Sequence, residues 1–219
     1  MKVIEFCGSP GCGKSTVCGM VLRDLRDRGI AAFDYNERKE RSALGNLRWL
    51  LAPGGVRTAS ALWRFGAKSA VNKRTFVYSV KCAVVLAQLR RWGGDPACEA
   101  VLFDEGLIQY LTTLSHGREL GTLSEDILAL LRALYHSADV TVIDCVLDAE
   151  ENAERLNRRN EAGDRFVTGD PAEQRALLSR KRANIDAALE QVRPVKLLRV
   201  STADSRQAAD EVLSALDLA

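Results

Sequence analysis

Two rhythms of hydrophobic and polar positions run through this chain. Short, largely apolar runs occupy residues 3–7, 30–33, 100–103, 140–147 and 195–200. Asp144 interrupts the fourth, so that strand is expected to end there or at Asp148. Several close on a hydrophilic residue: Asp34, Asp104-Glu105, Asp148 and Ser201-Thr202. Between them, apolar residues recur every three to four positions, as in Val17, Val21, Leu22 and Leu25 before Gly29, and again over residues 107–114 and 123–135. Continuous apolar runs predict strands buried on both faces, and 3.6-residue spacing predicts helices that cover them. Five such runs separated by helical segments predict a parallel sheet flanked by helices, with right-handed crossovers leaving few topologies. The expected class is α/β, three layers with helices on both faces of a five-stranded parallel sheet.

One segment breaks the alternation. Residues 37–98 separate the second and third strands and are punctuated by Pro53-Gly54-Gly55 and Gly93-Gly94-Asp95-Pro96, both strong breakers. Residues 60–89 between them read as one or two helices. The expectation is a single domain over 1–219, carrying a helical insertion at 37–98 and a lid-like segment at 149–170.

The sharpest local signal follows the first strand. Gly8-Ser9-Pro10-Gly11-Cys12-Gly13-Lys14-Ser15-Thr16 fills every fixed position of G-x-x-x-x-G-K-[ST], and strand before and helix after supply the required context. Glycines let the backbone wrap around oxygens, and successive N–H groups at a helix N-terminus face the phosphates. Lys14 is expected at the β- and γ-phosphates of a nucleoside triphosphate and the Ser15 hydroxyl on Mg²⁺.

Acids stand where further strands end. Asp104 closes the third strand as a Walker B acid does and is expected to hold Mg²⁺ with Ser15. Glu105 beside it can position water, contact a substrate hydroxyl, or stabilise the first turn of the next helix. Asp34 can accept the proton of an attacking hydroxyl, or cap the turn into Asn36-Glu37. After the fourth strand, Asp148 opens a helix bearing Arg155, Arg158 and Arg159. Arg155 and Arg159 share one face, where they can serve a transferring phosphoryl or pair with Glu150, Glu151 and Glu154.

Composition alters the picture in two places. Six cysteines are scattered without a C-x-x-C pair, so structural zinc is not expected and a reducing, cytoplasmic setting is. No apolar run approaches the ~18 residues of a membrane span. The net charge is only +2, yet residues 41–94 hold ten Lys and Arg and no Asp or Glu. Such a segment implies an anionic partner: a phosphorylated substrate, a nucleic acid or an acidic membrane surface. His116 and His136 have no nucleophile nearby and read as structural. Trp49, Trp63 and Trp92 all fall in the basic insertion and read as core anchors, with base stacking left open.

The order of P-loop, acid after the second strand, acid after the third and Arg-rich helix after the fourth resembles the thymidylate kinase and deoxynucleoside kinase branch of P-loop kinases. Residues 148–159 look like the lid-helix pattern of that branch, and 195–204 is similar to its final strand and adenine-side loop. The resemblance covers most of 1–40 and 98–219 and leaves the basic insertion unmatched. It implies a three-layer P-loop NTPase fold with five strands in the order 2-3-1-4-5, and it implies that Arg155, Arg159 and Arg165 are lid arginines. Those families place an arginine directly after the strand-three acid, where this chain has Glu105, a departure that bears on whether the acceptor is a standard nucleoside monophosphate. The expected activity is Mg²⁺-dependent transfer of the γ-phosphoryl of ATP to an anionic, nucleotide-like or other small acceptor. The alternatives are a regulatory NTPase whose insertion grips a macromolecule, and a nucleotide-sensing module. A lid implies a closed, water-excluding site, which favours a small acceptor over nucleic acid. ATP against GTP, and a homodimer, are left open.

Overall fold

The computed structural model describes residues 1–38, 45, 47–48, 51, 55–68, 73–92, 97–115, 118–137, 139–159 and 170–216, without the side chains of 74, 90–92, 136–137 and 159. The expected breakers at Pro53-Gly54 and 93–96, together with His116, Trp49 and Arg165, lie outside the described residues, as do the side chains of His136, Trp92 and Arg159.

Five strands, β1 (Lys2–Gly8), β2 (Ala32–Asp34), β3 (Ala100–Phe103), β4 (Asp139–Val146) and β5 (Lys196–Ser201), form one parallel sheet in the order β2-β3-β1-β4-β5. This is the expected topology. The second strand begins two residues later than its apolar run, because the Ile30 N–H turns back to the Leu25 carbonyl and extends the helix terminus. Asp144 does not interrupt β4. It is wholly buried and accepts both Nη atoms of Arg182, at 2.6 and 2.9 Å, and the Nε of Arg199 at 2.8 Å.

Alternation along the strands divides the core in two. On one face Ile4, Phe6, Leu102 and Ile143 pack beneath α1 (Lys14–Asp27) and α9 (Ser205–Ala215). On the other, Val3, Cys7, Val101 and Val142 meet α5 (Leu107–Leu114), α6 (Glu125–Ser137) and α8 (Pro171–Val192). The insertion supplies two helices, α3 (Gly55–Ala67) and α4 (Lys73–Trp92), packed on each other, with α4 against α5 and α3 against α6. A short α2 (Tyr35–Arg38) follows β2, and α7 (Ala149–Arg159) follows β4 with Asp148 accepting from the Glu150 N–H at 2.8 Å. Among the described residues no helix is long and apolar enough to cross a membrane.

One position on β1 breaks the apolar pattern. Glu5 lies 3% exposed inside the α5–α6 side of the core. Its Oε1 accepts the Ile108 N–H at 2.7 Å and its Oε2 accepts the Tyr135 hydroxyl at 2.6 Å. A Cβ at Gly106 would sit 2.3 Å from the Glu5 Cδ, so only glycine lets the chain pass here. Glu5 therefore ties the central strand to the turn that starts α5. Burial pushes its carboxyl from 4.5 up to about 7, against the opposing pull of the two hydrogen bonds.

The linkage has a definite sign. Between pH 4.5 and 7 the folded chain keeps a proton that the unfolded chain has released, so this group's contribution falls as pH rises through that window. A shift of this size corresponds to roughly 3 kcal/mol across the window. Glu5→Gln keeps an acceptor for Ile108 and gains a donor for the Tyr135 oxygen. Urea unfolding at pH 5, 6, 7 and 8 should show the variant gaining on the parent as pH rises. A pH-independent difference would refute the assignment.

Candidate phosphate-binding and transfer site

Sheet order brings the ends of β1, β2, β3 and β4 to one edge, and the P-loop fills it. Gly11 at φ 81° and Gly13 at φ 93° take left-handed conformations that side chains resist. Gly13 caps α1 without any side-chain hydrogen bond, so the helix opens with donors free for an anion. The loop is also closed from outside. A Cβ at Gly8 would lie 2.6 Å from the Cys12 Sγ and one at Gly11 2.6 Å from Leu156 on α7. Lys14 is buried at the start of α1. Burial pushes the Cys12 thiol up although the Lys14 charge pulls the other way, so Cys12 packs as a neutral thiol.

Beside Lys14, the Ser15 hydroxyl donates to the Asp104 Oδ2 at 3.4 Å. The Asn36 side-chain amide reaches the Asp104 Oδ1 at 3.5 Å, and the Asn36 N–H donates to the Asp34 Oδ1 at 2.6 Å. Ser15, Asp104, Asn36 and Asp34 thus form one continuous polar cluster. Among the described residues no group of three or more His, Cys, Asp or Glu is placed to hold a metal ion. A hydroxyl and one carboxylate suit Mg²⁺, which takes few protein oxygens and completes its shell from phosphates and water. Asp34 gives one oxygen to the turn into α2, so its capping role is realised in the structure. Glu105 is exposed at the turn before α5, near enough to Tyr110 to help hold that buried phenol protonated, although burial is the main cause.

Aromatic side chains stand behind the two acids. The Tyr35 ring stacks on Phe103 with centroids 4.5 Å apart, and its hydroxyl donates to the Gln88 Oε1 at 2.9 Å. Tyr78 meets Tyr110 edge-on at 5.7 Å. None of these was singled out from the sequence, and only the adjacency of Tyr35 to Asp34 could have signalled one of them.

Arg155 reaches the P-loop in an unexpected manner. A Cβ at Gly13 would lie 3.3 Å from its Nη1, yet its donors face elsewhere. Nη1 donates to the Thr202 carbonyl at 3.0 Å, and Nη2 to the Ala203 carbonyl at 3.0 Å and to Glu151 at 2.7 Å. The wholly buried Thr202 hydroxyl bridges the Cys12 and Val146 carbonyls. Helix α7, the loop after β5 and the P-loop are therefore fastened together. Arg158 makes only an exposed pair with Glu154 at 3.1 Å, worth little in solvent.

This arrangement separates two roles for Arg155. As a clasp, its replacement by Lys loses one of two parallel carbonyl contacts and loosens the loop beside the phosphates. Isothermal titration should then show ATP bound several-fold more weakly by Arg155→Lys and by Thr202→Val, with far-UV dichroism unchanged. Weaker turnover at unaltered ATP affinity would instead assign Arg155 to the transferring phosphoryl.

No protein-family model matches the chain, and no curated protein matches it in sequence. Among solved structures, it is similar to deoxyadenosine kinase from M. mycoides, determined with dCMP and a flexible dCDP bound as products. The two share 13% identity with a TM-score of 0.50, and the match covers 99% of each chain. The likeness runs from end to end, insertion included, and it is one of fold: this chain has a deoxynucleoside-kinase-like P-loop fold.

Proposed function

We propose that this protein is a phosphotransferase that moves the γ-phosphoryl of ATP to a hydroxyl or phosphate of a small, nucleotide-like or otherwise anionic acceptor. The observation that carries this reading is the polar cluster of Ser15, Asp104, Asn36 and Asp34 at the mouth of the P-loop. It sets a phosphate cradle, a Mg²⁺-compatible oxygen pair and a carboxylate within one edge of the sheet. The fold likeness to a deoxynucleoside kinase supports the same class.

In this reading the open N–H groups of α1 and the Lys14 ammonium bind the β- and γ-phosphates and oppose the charge that spreads during transfer. Ser15 and Asp104 would hold Mg²⁺, which supplies charge neutralisation when bound. Asp34 or Glu105 orients the attacking oxygen of the acceptor and accepts its proton. Arg159 and Arg165 would close from the lid side, whereas Arg155 holds the loop after β5 in place.

The test is ADP release from ATP with and without a panel of nucleosides, nucleotides, sugars and lipid alcohols. Acceptor-dependent release, abolished in Lys14→Ala with native dichroism, is expected. Asp34→Asn should lower kcat at least tenfold if Asp34 is the base, and Glu105→Gln should do so if Glu105 is. Acceptor-free hydrolysis lost in Glu105→Gln would assign the chain to the NTPases, and Lys14→Ala with unchanged ATP affinity and turnover would reject the whole site.

A further inference from the structure

The basic insertion has an outer face that the site does not use. Helix α3 buries Thr58, Leu62 and Phe65 against its neighbours, yet a second apolar stripe of Val56, Ala59 and Trp63 runs along its opposite side. With Phe76 and Val80 of α4 it lines a groove that holds no charged side chain among the described residues. Val56 and Phe76 are 56% and 57% exposed, and the Trp63 ring meets Phe76 edge-on at 6.0 Å. Apolar residues of this size do not ordinarily stand together in water. The cations flank them. Arg57 and Arg64, seven residues apart, form a stripe roughly 125° around α3 from the apolar one, Lys68 follows just past the helix end, and all three are exposed. Lys73 is exposed at the start of α4. Arg57 has only a 3.7 Å approach to Asp126, both side chains being largely exposed. Among the described residues α3 packs on α4 and α6.

We propose that the outer face of α3 and α4 is a docking surface for an anionic lipid bilayer. An aliphatic and aromatic strip framed by Arg and Lys matches the two layers of a membrane interface: apolar side chains enter the acyl boundary while cations meet the headgroup phosphates. Two other partners fit less well. A second copy would bring two like stripes of Arg and Lys together, which repel. A nucleic acid would use the cations but has nothing for Val56, and Trp63 already turns its ring toward Phe76 instead of offering it for stacking. This surface is independent of the chemistry at the P-loop and does not require the proposed transfer reaction.

The experiment is co-sedimentation of the full chain with phosphatidylcholine vesicles carrying 0% or about 30% phosphatidylglycerol, a content at which polybasic attraction operates. Expected is binding to the anionic vesicles alone, weakened by salt and accompanied by a blue shift of tryptophan emission that Trp63→Phe removes. Arg57→Ser and Arg64→Ser should each weaken binding about fivefold, from ~1 kcal/mol per cation near the surface. Val56→Ser with Phe76→Ser should weaken it at least as much, with ATP affinity and thermal midpoint unchanged because all these side chains are exposed. Equal binding to both vesicles, or binding indifferent to the apolar pair, overturns the proposal. So does salt-sensitive oligonucleotide binding without vesicle binding, or a dimer in sedimentation velocity that Phe76→Ser dissociates.

Discussion

The molecule depends on the parallel pairing of β1 between β3 and β4. The register sets Glu5 beside Phe103 and Gly8 beside Cys145, and so decides which residues leave the sheet together. Because all five strands run the same way, their carboxyl ends face one edge, where ligands of open α/β sheets collect. Shifting β1 by one residue would send Glu5 into the α1–α9 side and turn Ile4 and Phe6 toward α5. The P-loop, the acid after β3 and the loop after β5 owe their shared edge to this register.

Two buried carboxylates on one face of the sheet are satisfied differently. Asp144 lies on β4 beside Cys7, and two arginines from α8 and β5 neutralise it, with Asp186 completing the network at 2.5 Å from Arg182. The Asp186 carboxyl is held below its ordinary range, first by its hydrogen bond to Arg182. Such a pair is costly to leave half-made, so α8 has one favoured seat on the sheet. Glu5 has no cation among its hydrogen-bond partners and relies on a phenol and a backbone N–H. One carboxylate fixes a helix by ion pairing, the other fixes a turn by direction alone.

The sequence made the phosphate loop legible because its function requires fixed spacing over nine residues, and local spacing survives without the fold. Asp104 was legible for a similar reason, as an acid ending an apolar run behind such a loop. The strands were legible to within two residues, β2 least well because Ile30 belongs to the terminus of α1. Partners far along the chain were not legible. An arginine on a helix after the fourth strand reads as free for a ligand, and nothing local reveals that carbonyls 47 and 48 residues onward accept from it. Glu5 stands out in an apolar run, but Tyr135, 130 residues away, is what makes its burial tolerable. The double apolar face of α3 was hidden as well, because one helical stripe in a sequence does not show which side the fold will cover.

The bond from Thr202 to the Cys12 carbonyl spans 190 residues. A chain made from its N-terminus exposes the whole phosphate motif early, long before the hydroxyl that fastens the loop exists. The loop therefore takes its fastened form only once residues 12 and 202 are both in place. Any fragment stopping short of β5 would carry the signature in its letters and lack this fastening, so the signature alone does not describe the finished loop.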